Sequence, residues 1–388
     1  MTDQSTPDAI ALRRRLAHAL VEAGHIHTPA WRTAVEAVPR EAFACEWFTR
    51  SDTDQGTLWT PVTGDAATLD TIYTDVTLVT QLDEVRPSDA PGPVYGSPTS
   101  SSTLPSLVVG MLEDLRVGDT DRVLEIGTGT GYSTALLTHR LGDDRVTSIE
   151  VDPDTAARAA ASLKEAGFRP RLVVGDGLDG APEHAPYDGI IATCAVRRVP
   201  QPWLDQAAPG ATILTNMTGW LYAYGQARLT VVDADNAVGE FLPGSISFMT
   251  ARRHAAPPMD DHAALTATGP GRPTSLGPEV LSDWTGRFVL QGALPTTTHR
   301  TTRIGDGPYL NHLIAVDGSF ATLLPQSDGT WNVREGGAVK LWEQAEKLVG
   351  AWRDAGSPST EMFRFRIVSG EQTIHLPGTD LAWNLPGA

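Results

Sequence analysis

Val123-Leu124-Glu125-Ile126-Gly127-Thr128-Gly129-Thr130-Gly131-Tyr132 is an apolar run closed by three glycines at alternate positions. Glycine there lets a backbone pass close to a ligand without a Cβ clash, and the helix expected over Tyr132 to Leu141 turns its N-terminus toward that ligand. A dinucleotide fingerprint needs glycine at the sixth position of G-x-G-x-x-G, and this chain has Tyr132 there. G-x-G-x-G preceded by an acid, Glu125, is instead the pattern of S-adenosylmethionine sites. A glycine loop alone could be no more than a tight structural turn, so its meaning depends on the strands downstream of it.

Three further strand signals come in order. Val146-Thr147-Ser148-Ile149-Glu150-Val151-Asp152 ends in acids, and a carboxylate at Glu150 can accept both ribose hydroxyls of a cofactor lying across the strand ends. Leu172-Val173-Val174-Gly175-Asp176-Gly177 ends in Asp176, placed to accept an adenine amino group. Pro186-Tyr187-Asp188-Gly189-Ile190-Ile191-Ala192-Thr193 is the fourth. Strands alternating with helices predict an α/β, Rossmann-like methyltransferase fold built on a doubly wound sheet. The expected cofactor contacts are Glu125, Gly127, Thr128, Gly129, Gly131, Tyr132, Glu150, Val151, Asp176 and Gly177.

With these motifs stand Val38-Pro39-Arg40-Glu41-Ala42-Phe43, Tyr73-Thr74-Asp75, Thr99-Ser100-Ser101-Ser102-Thr103-Leu104-Pro105 and Val199-Pro200-Gln201-Pro202-Trp203-Leu204. Together they make roughly residues 30 to 255 resemble the protein-L-isoaspartate (D-aspartate) O-methyltransferases. That family usually carries a Ser-Gln-Pro triplet in the loop before the first helix, its serine near the transferred methyl and the substrate carboxylate. Thr103-Leu104-Pro105 keeps the hydroxyl and loses the amide. The resemblance therefore implies Thr103, with Ser102 as alternate, as the hydroxyl holding the substrate carboxylate. The competing reading is that these hydroxyls only cap the helix beginning near Leu104, where Ser and Thr are favoured on backbone grounds.

The altered triplet and the added length at both ends look like the actinobacterial relatives beside lanthipeptide or graspetide maturation enzymes. That resemblance implies methylation of an aspartate in a ribosomally made, cyclised peptide, the ester then collapsing to an aspartimide. General isoaspartate repair is the alternative, and a cofactor-binding but inactive peptide-recognition protein is a third possibility. An aspartyl carboxylate, with an unperturbed pKa of about 4, is already ionised at neutral pH. Methyl transfer to it needs alignment more than a strong base.

A formal charge of −17, with no long Lys/Arg run, argues against nucleic acid as a partner. The densest basic cluster, Arg13-Arg14-Arg15, reads as a solvated helix face. No apolar run reaches membrane-span length, and Met1-Thr2-Asp3-Gln4 does not open a secretory signal, so a cytoplasmic location is expected. Cys45 and Cys194 are isolated, and His25, His27, His254, His299 and His312 lack metal-ligand spacing, so no metal site is expected. Cys194 reads as a small buried filler.

Three modules are expected. Residues 1–95 form a cap of two helices, Ala9 to Ala23 and Ala30 to Ala37, with an irregular segment over the cofactor cleft. Residues 96–256 hold the methyltransferase domain, opened by a Ser/Thr-rich loop and a helix from Leu104 to Leu115. Residues 257–388 read as an α+β accessory module for substrate recognition, with hairpins at Asp317-Gly318-Ser319 and Ser327-Asp328-Gly329-Thr330. Its apolar stripe of Leu341, Trp342, Ala345, Leu348, Val349 and Trp352 reads as core, and Phe363 to Val368 alternates as a strand.

Overall fold

The computed structural model describes residues 6–64, 68–303 and 307–387; the opening Met1-Thr2-Asp3-Gln4 lies outside them. Two compact units divide the chain. The first holds residues up to 193 and 202–214, the second residues 194–201 and 215 onward.

The first unit opens with α1 (Pro7–Glu22) and α2 (Pro29–Ala37), each with proline in its first turn. Arg13 departs from the solvated face expected of it. Its side chain is 1% exposed and donates to the Tyr73 hydroxyl (3.2 Å), the Ala37 carbonyl (2.8 Å) and Glu41 (3.3 Å). Arg14 and Arg15 are exposed as expected.

The segment expected to be irregular folds as an antiparallel sheet of β1 (Trp47–Thr53), β2 (Gly56–Val62), β3 (Leu78–Leu82), β4 (Val94–Tyr95) and β5 (Pro98–Ser102), in the order β4-β2-β1-β3-β5. A one-turn helix, α3 (Leu69–Ile72), lies between β2 and β3. Phe48, Trp59 and Leu82 form the sheet's small core. These strands are short, and β1 has only two buried residues, so no alternation betrayed them. The Ser/Thr-rich loop is itself β5, paired with β3 through Leu78↔Ser102 and Val79↔Ser101.

After α4 (Pro105–Asp114) comes the alternating region: β6 (Val123–Ile126), α5 (Tyr132–Leu141), β7 (Val146–Glu150), α6 (Pro153–Glu165), β8 (Arg171–Val174) and β9 (Tyr187–Val196). α7 (Gln201–Gln206) and β10 (Ala207–Met217) come next. β6 pairs in parallel with β7 on one side and with β9 on the other, and β8 extends the β7 side. Strand order therefore reverses at β6, which makes its carboxyl end the switch point of a doubly wound sheet. β6 and β7 are buried along their whole length, as a sheet covered on both faces requires.

In the second unit, β11 (Gly225–Asp233) and β12 (Asn236–Phe241) form a hairpin, followed by α8 (His262–Thr266). A five-stranded antiparallel sheet comprises β13 (Arg272–Thr274), β14 (Thr297–Arg303), β15 (Tyr309–Ala315), β16 (Phe320–Pro325) and β17 (Trp331–Gly336). Both expected hairpins are present, between β15 and β16 and between β16 and β17. α9 (Trp284–Ala293) packs against α10 (Leu341–Asp354), whose expected stripe is buried except at Leu348, which is half-buried. The last strands, β18 (Arg364–Val368), β19 (Glu371–His375) and β20 (Ala382–Asn384), return to pair beside β12. Among the described residues no helix is long and apolar enough to cross a membrane.

Candidate functional site

The glycine loop leaves β6 at the switch point, and all three glycines have positive φ: +97° at Gly127, +55° at Gly129 and +92° at Gly131. Gly127 is fixed by more than its dihedral. A Cβ there would fall 2.6 Å from the Thr193 Oγ1, which already donates to the Gly127 carbonyl at 2.6 Å. Gly177 is equally closed to a side chain, since its Cβ would meet Ile126 Cγ2 at 2.3 Å. At Gly129 a Cβ would lie 3.8 Å from the Ser101 carbonyl, which sets β5 beside the loop.

Glu150 ends β7 and is 9% exposed. Its Oε2 accepts from the Gly129 N–H (2.9 Å) and its Oε1 from the Asp152 N–H (3.1 Å). Val151, next to it, is an exposed apolar side chain of the kind that can carry a flat ring. Asp176 follows β8 and accepts from the Leu178 N–H (2.8 Å), opening a short 3-10 turn. The β6–β7 and β7–β8 registers bring the loop, the Glu150-Val151 pair and the Asp176-Gly177 pair to one edge of the sheet.

Three expected contacts turn inward instead. Glu125 is fully buried, and its carboxylate accepts from the hydroxyls of Thr134 and Ser148 (2.7 Å from the latter). Burial raises its pKa, against hydrogen bonds from Ser133, Thr134 and Ser148 that lower it. Thr128 is 4% exposed, its hydroxyl 2.6 Å from Ser148 Oγ. Tyr132 is 3% exposed and packs on Phe43 (6.1 Å between centroids), with the Arg40 guanidinium 5.8 Å from its ring. Burial pushes its phenol up to about 12. These side chains shape the loop from behind rather than offering an atom to a ligand.

Ser102 and Thr103 lie where β5 hands over to α4. The N-cap of α4 is Leu104, which has no capping side chain. The Ser106 N–H is instead capped by Asp75 Oδ1 at 2.8 Å, and the Leu104 N–H donates to Thr77 Oγ1 at 3.1 Å. Helix capping therefore does not use the Ser102 or Thr103 hydroxyl. Ser102 Oγ is buried without a partner.

Behind them lies Arg40, fully buried, whose guanidinium donates to the carbonyls of Ile72 (2.6 Å), Thr74 (2.9 Å), Val76 (2.9 Å), Ser102 (3.4 Å) and Thr103 (3.3 Å). One cation thus ties two chain segments to the strand end that carries the hydroxyls. Burial lowers its pKa, while Tyr132, Asp75 and Tyr73 pull it up. Arg40 and Asp75 were visible in the sequence only inside the Val-Pro-Arg-Glu and Tyr-Thr-Asp runs. No periodicity marks a residue that works through backbone carbonyls.

A cleft opens beside the loop, lined among others by Phe43, Glu46, Thr80, Ser100, Gly129 and Arg158. Glu46 pairs with Arg86 (3.0 Å from Nε), and Arg158 donates to Thr155 Oγ1 (2.9 Å). Glu150, Val151, Asp176, Gly177 and Thr103 are not among its lining residues. Cys194 is half-buried rather than fully buried. Among the described residues no cluster of His, Cys, Asp and Glu could hold a metal ion.

A family model described as protein-L-isoaspartate(D-aspartate) O-methyltransferase matches residues 67–223. The protein-L-isoaspartate O-methyltransferase of Methanoculleus marisnigri is 42% identical over 134 residues, which is 34% of this chain and 59% of that relative. Protein-L-isoaspartate O-methyltransferase 2 of Pelobacter propionicus is 34% identical over 190 residues, covering 49% of this chain and 68% of its own length. This chain spans about three fifths of the length of the first curated relatives it matches. A solved structure titled protein-L-isoaspartate O-methyltransferase superposes with a TM-score of 0.56 at 21% identity, covering 94% of this chain and 99% of that one, a likeness of fold.

Proposed function

Because the chain belongs to the protein-L-isoaspartate O-methyltransferase family, we propose that it transfers a methyl group from S-adenosylmethionine to the side-chain carboxylate of an isoaspartyl residue in a peptide or protein. The observation carrying this reading is the half-buried Thr103 directly after β5, its hydroxyl released from capping by Asp75 and the strand before it adjoining the glycine loop through the Ser101 carbonyl.

The residues present fit the cofactor. Three positive-φ glycines turn the loop at the strand end, Glu150 sits there with carboxylate oxygens able to accept ribose hydroxyls, and Val151 offers an apolar face. Asp176 is the acceptor proposed for the adenine amino group. When bound, S-adenosylmethionine supplies a methyl group on a sulfonium sulfur. Thr103 donates a hydrogen bond to the substrate carboxylate and fixes which oxygen faces the cofactor, whereas the Ser102 hydroxyl, the alternate, is buried away from a ligand. No residue need remove a proton, because the carboxylate is ionised at neutral pH. Holding the reactants in line accounts for up to roughly 7–11 kcal/mol of the barrier.

A second reading, an aspartate of a cyclised precursor peptide whose ester closes to an aspartimide, is favoured by one observation. Leu104 occupies the middle of the triplet and brings no amide to the start of α4. A cytoplasmic location and substrate recognition by the C-terminal residues belong to the same proposal.

Intact-mass measurement after mixing the protein and S-adenosylmethionine with a linear isoaspartyl peptide, its aspartyl counterpart and a cyclised aspartate peptide separates these readings. Methylation of the isoaspartyl peptide alone is the expected result. Methylation followed by methanol loss on the cyclised peptide alone would replace it with the second reading, and no turnover of any peptide would refute both. Thr103→Ala is expected to lower kcat on the order of 10²-fold while leaving cofactor affinity within about twofold, as a misaligned carboxylate requires. An unchanged kcat would remove Thr103 from the site.

A further inference from the structure

The second unit contains a shallow cleft of its own, lined by Arg197, Phe288, Gln291, Ile374, Trp383 and Leu385 among others. Its walls are aromatic and aliphatic, and its one cation is Arg197. The guanidinium lies 3.7 Å from the centroid of the Trp220 ring and donates from Nη2 to the Pro295 carbonyl at 2.7 Å. Its Nε is buried and has no partner. Among the described residues no carboxylate forms an ion pair with it, and burial lowers its pKa to about 10, so it is charged at neutral pH.

That arrangement is unusual in a chain with 47 acidic and 30 basic residues, where acids to compensate an arginine are abundant. The next residue, Arg198, likewise bonds carbonyls, those of Pro386 (3.4 Å) and Gly370 (3.5 Å). A parallel bridge, Ala195↔Thr250, runs the chain into two more arginines, the exposed Arg252 and Arg253. The same turn braces the stack: the Arg197 N–H donates to His254 Nδ1 (3.1 Å), and Trp220 Nε1 donates to the His254 carbonyl (2.9 Å). The guanidinium is thus oriented on an indole that is itself fixed. A desolvated N–H without an acceptor is costly, and a ligand carboxylate, able to take two parallel N–H bonds from one guanidinium, would relieve that cost.

We propose that this cleft is a docking subsite for a peptide segment in which a carboxylate side chain adjoins a large apolar one, the carboxylate accepting from Arg197 and the apolar group packing against Phe288, Ile374 and Trp383. The proposal rests on the reading of the chain as acting on peptides and names a recognition element that such a substrate carries apart from the methylated residue. The Arg197 guanidinium in the cleft wall favours a carboxylate, and the aromatic walls favour Phe, Tyr or Leu over a small neighbour.

The test uses the full chain and fluorescein-labelled hexapeptides carrying a Glu-Phe pair, with Gln-Phe and Glu-Gly counterparts, read by fluorescence anisotropy. The Glu-Phe peptide is expected to bind at least about tenfold more tightly than either counterpart, and Arg197→Gln to weaken it about tenfold, which corresponds to about 1.4 kcal/mol. Equal binding of the three peptides by the unaltered protein overturns the proposal, a result that holds even if the variant fails to fold. Anisotropy needs no methyl transfer. Binding of the Glu-Phe peptide by a chain that methylates no isoaspartyl peptide would therefore refute the activity and uphold the subsite. Methylation with no preference among the labelled peptides would refute the subsite alone.

Discussion

Glu125 stands two residues ahead of the first loop glycine, yet no part of its side chain reaches the surface, and the hydroxyls of Thr134 and Ser148 hold its carboxylate. Its position was legible in the sequence, and its direction was not, because both hydroxyl partners lie on other elements. A carboxyl whose native pKa is raised keeps its proton at a pH where the unfolded chain has released it. Stability then falls as pH rises from the ordinary value of 4.5 toward the higher native one. Glu125→Gln is expected to remove this part of the decline, so that its urea midpoint changes less across that window than the parent's. Parallel pH profiles for the two proteins would show that Glu125 titrates as it does when unfolded.

Among the elements, the parallel strands and α5 could be read from sequence because glycine turns and fully apolar runs mark them locally. Tyr132–Leu141 is helical over the span expected. The antiparallel sheet of β1 to β5 was not read: its β1–β2 hairpin is largely exposed and lacks alternation, and β4 and β5 join from about twenty to forty residues away around one small cluster at Trp59. The start of α4 near Leu104 was legible, but its cap was not, because the capping side chain comes from 31 residues away. Removing that cap by Asp75→Ala is expected to cost about 1 kcal/mol, read as a lower urea midpoint, with a fall in kcat because the start of α4, which follows Thr103, loses its cap. A variant as stable and active as the parent would show that Ser106 finds another acceptor.

For the whole molecule, the expected break near residue 257 sits inside the second compact unit, which includes residues from 215 onward. β12 pairs with β18 from Ala237↔Ile367 to Glu240↔Arg364, and Phe241 stacks on Phe365 at 6.2 Å. Phe241 also meets Phe288 edge-on at 5.2 Å. A chain ending at residue 257 would leave the edge of β12 unpaired and these aromatic contacts missing, an invitation to association. Light scattering of such a truncation is expected to report aggregation, whereas a monomeric product with the parent's cofactor affinity would show that the first unit stands without it. Hairpins and the α10 stripe were local enough to be seen in sequence; the return of β18 to β12 spans more than a hundred residues and was not.

One of the chain's two cysteines, Cys45, is exposed and lies in the wall of the cleft that Gly129 also lines. An uncombined thiol at that rim is a chemical gauge of occupancy. A colorimetric disulfide reagent should modify Cys45 rapidly in the free protein and more slowly once a ligand fills the cleft, and a bulky alkylating group placed there should obstruct the entrance while leaving the fold intact.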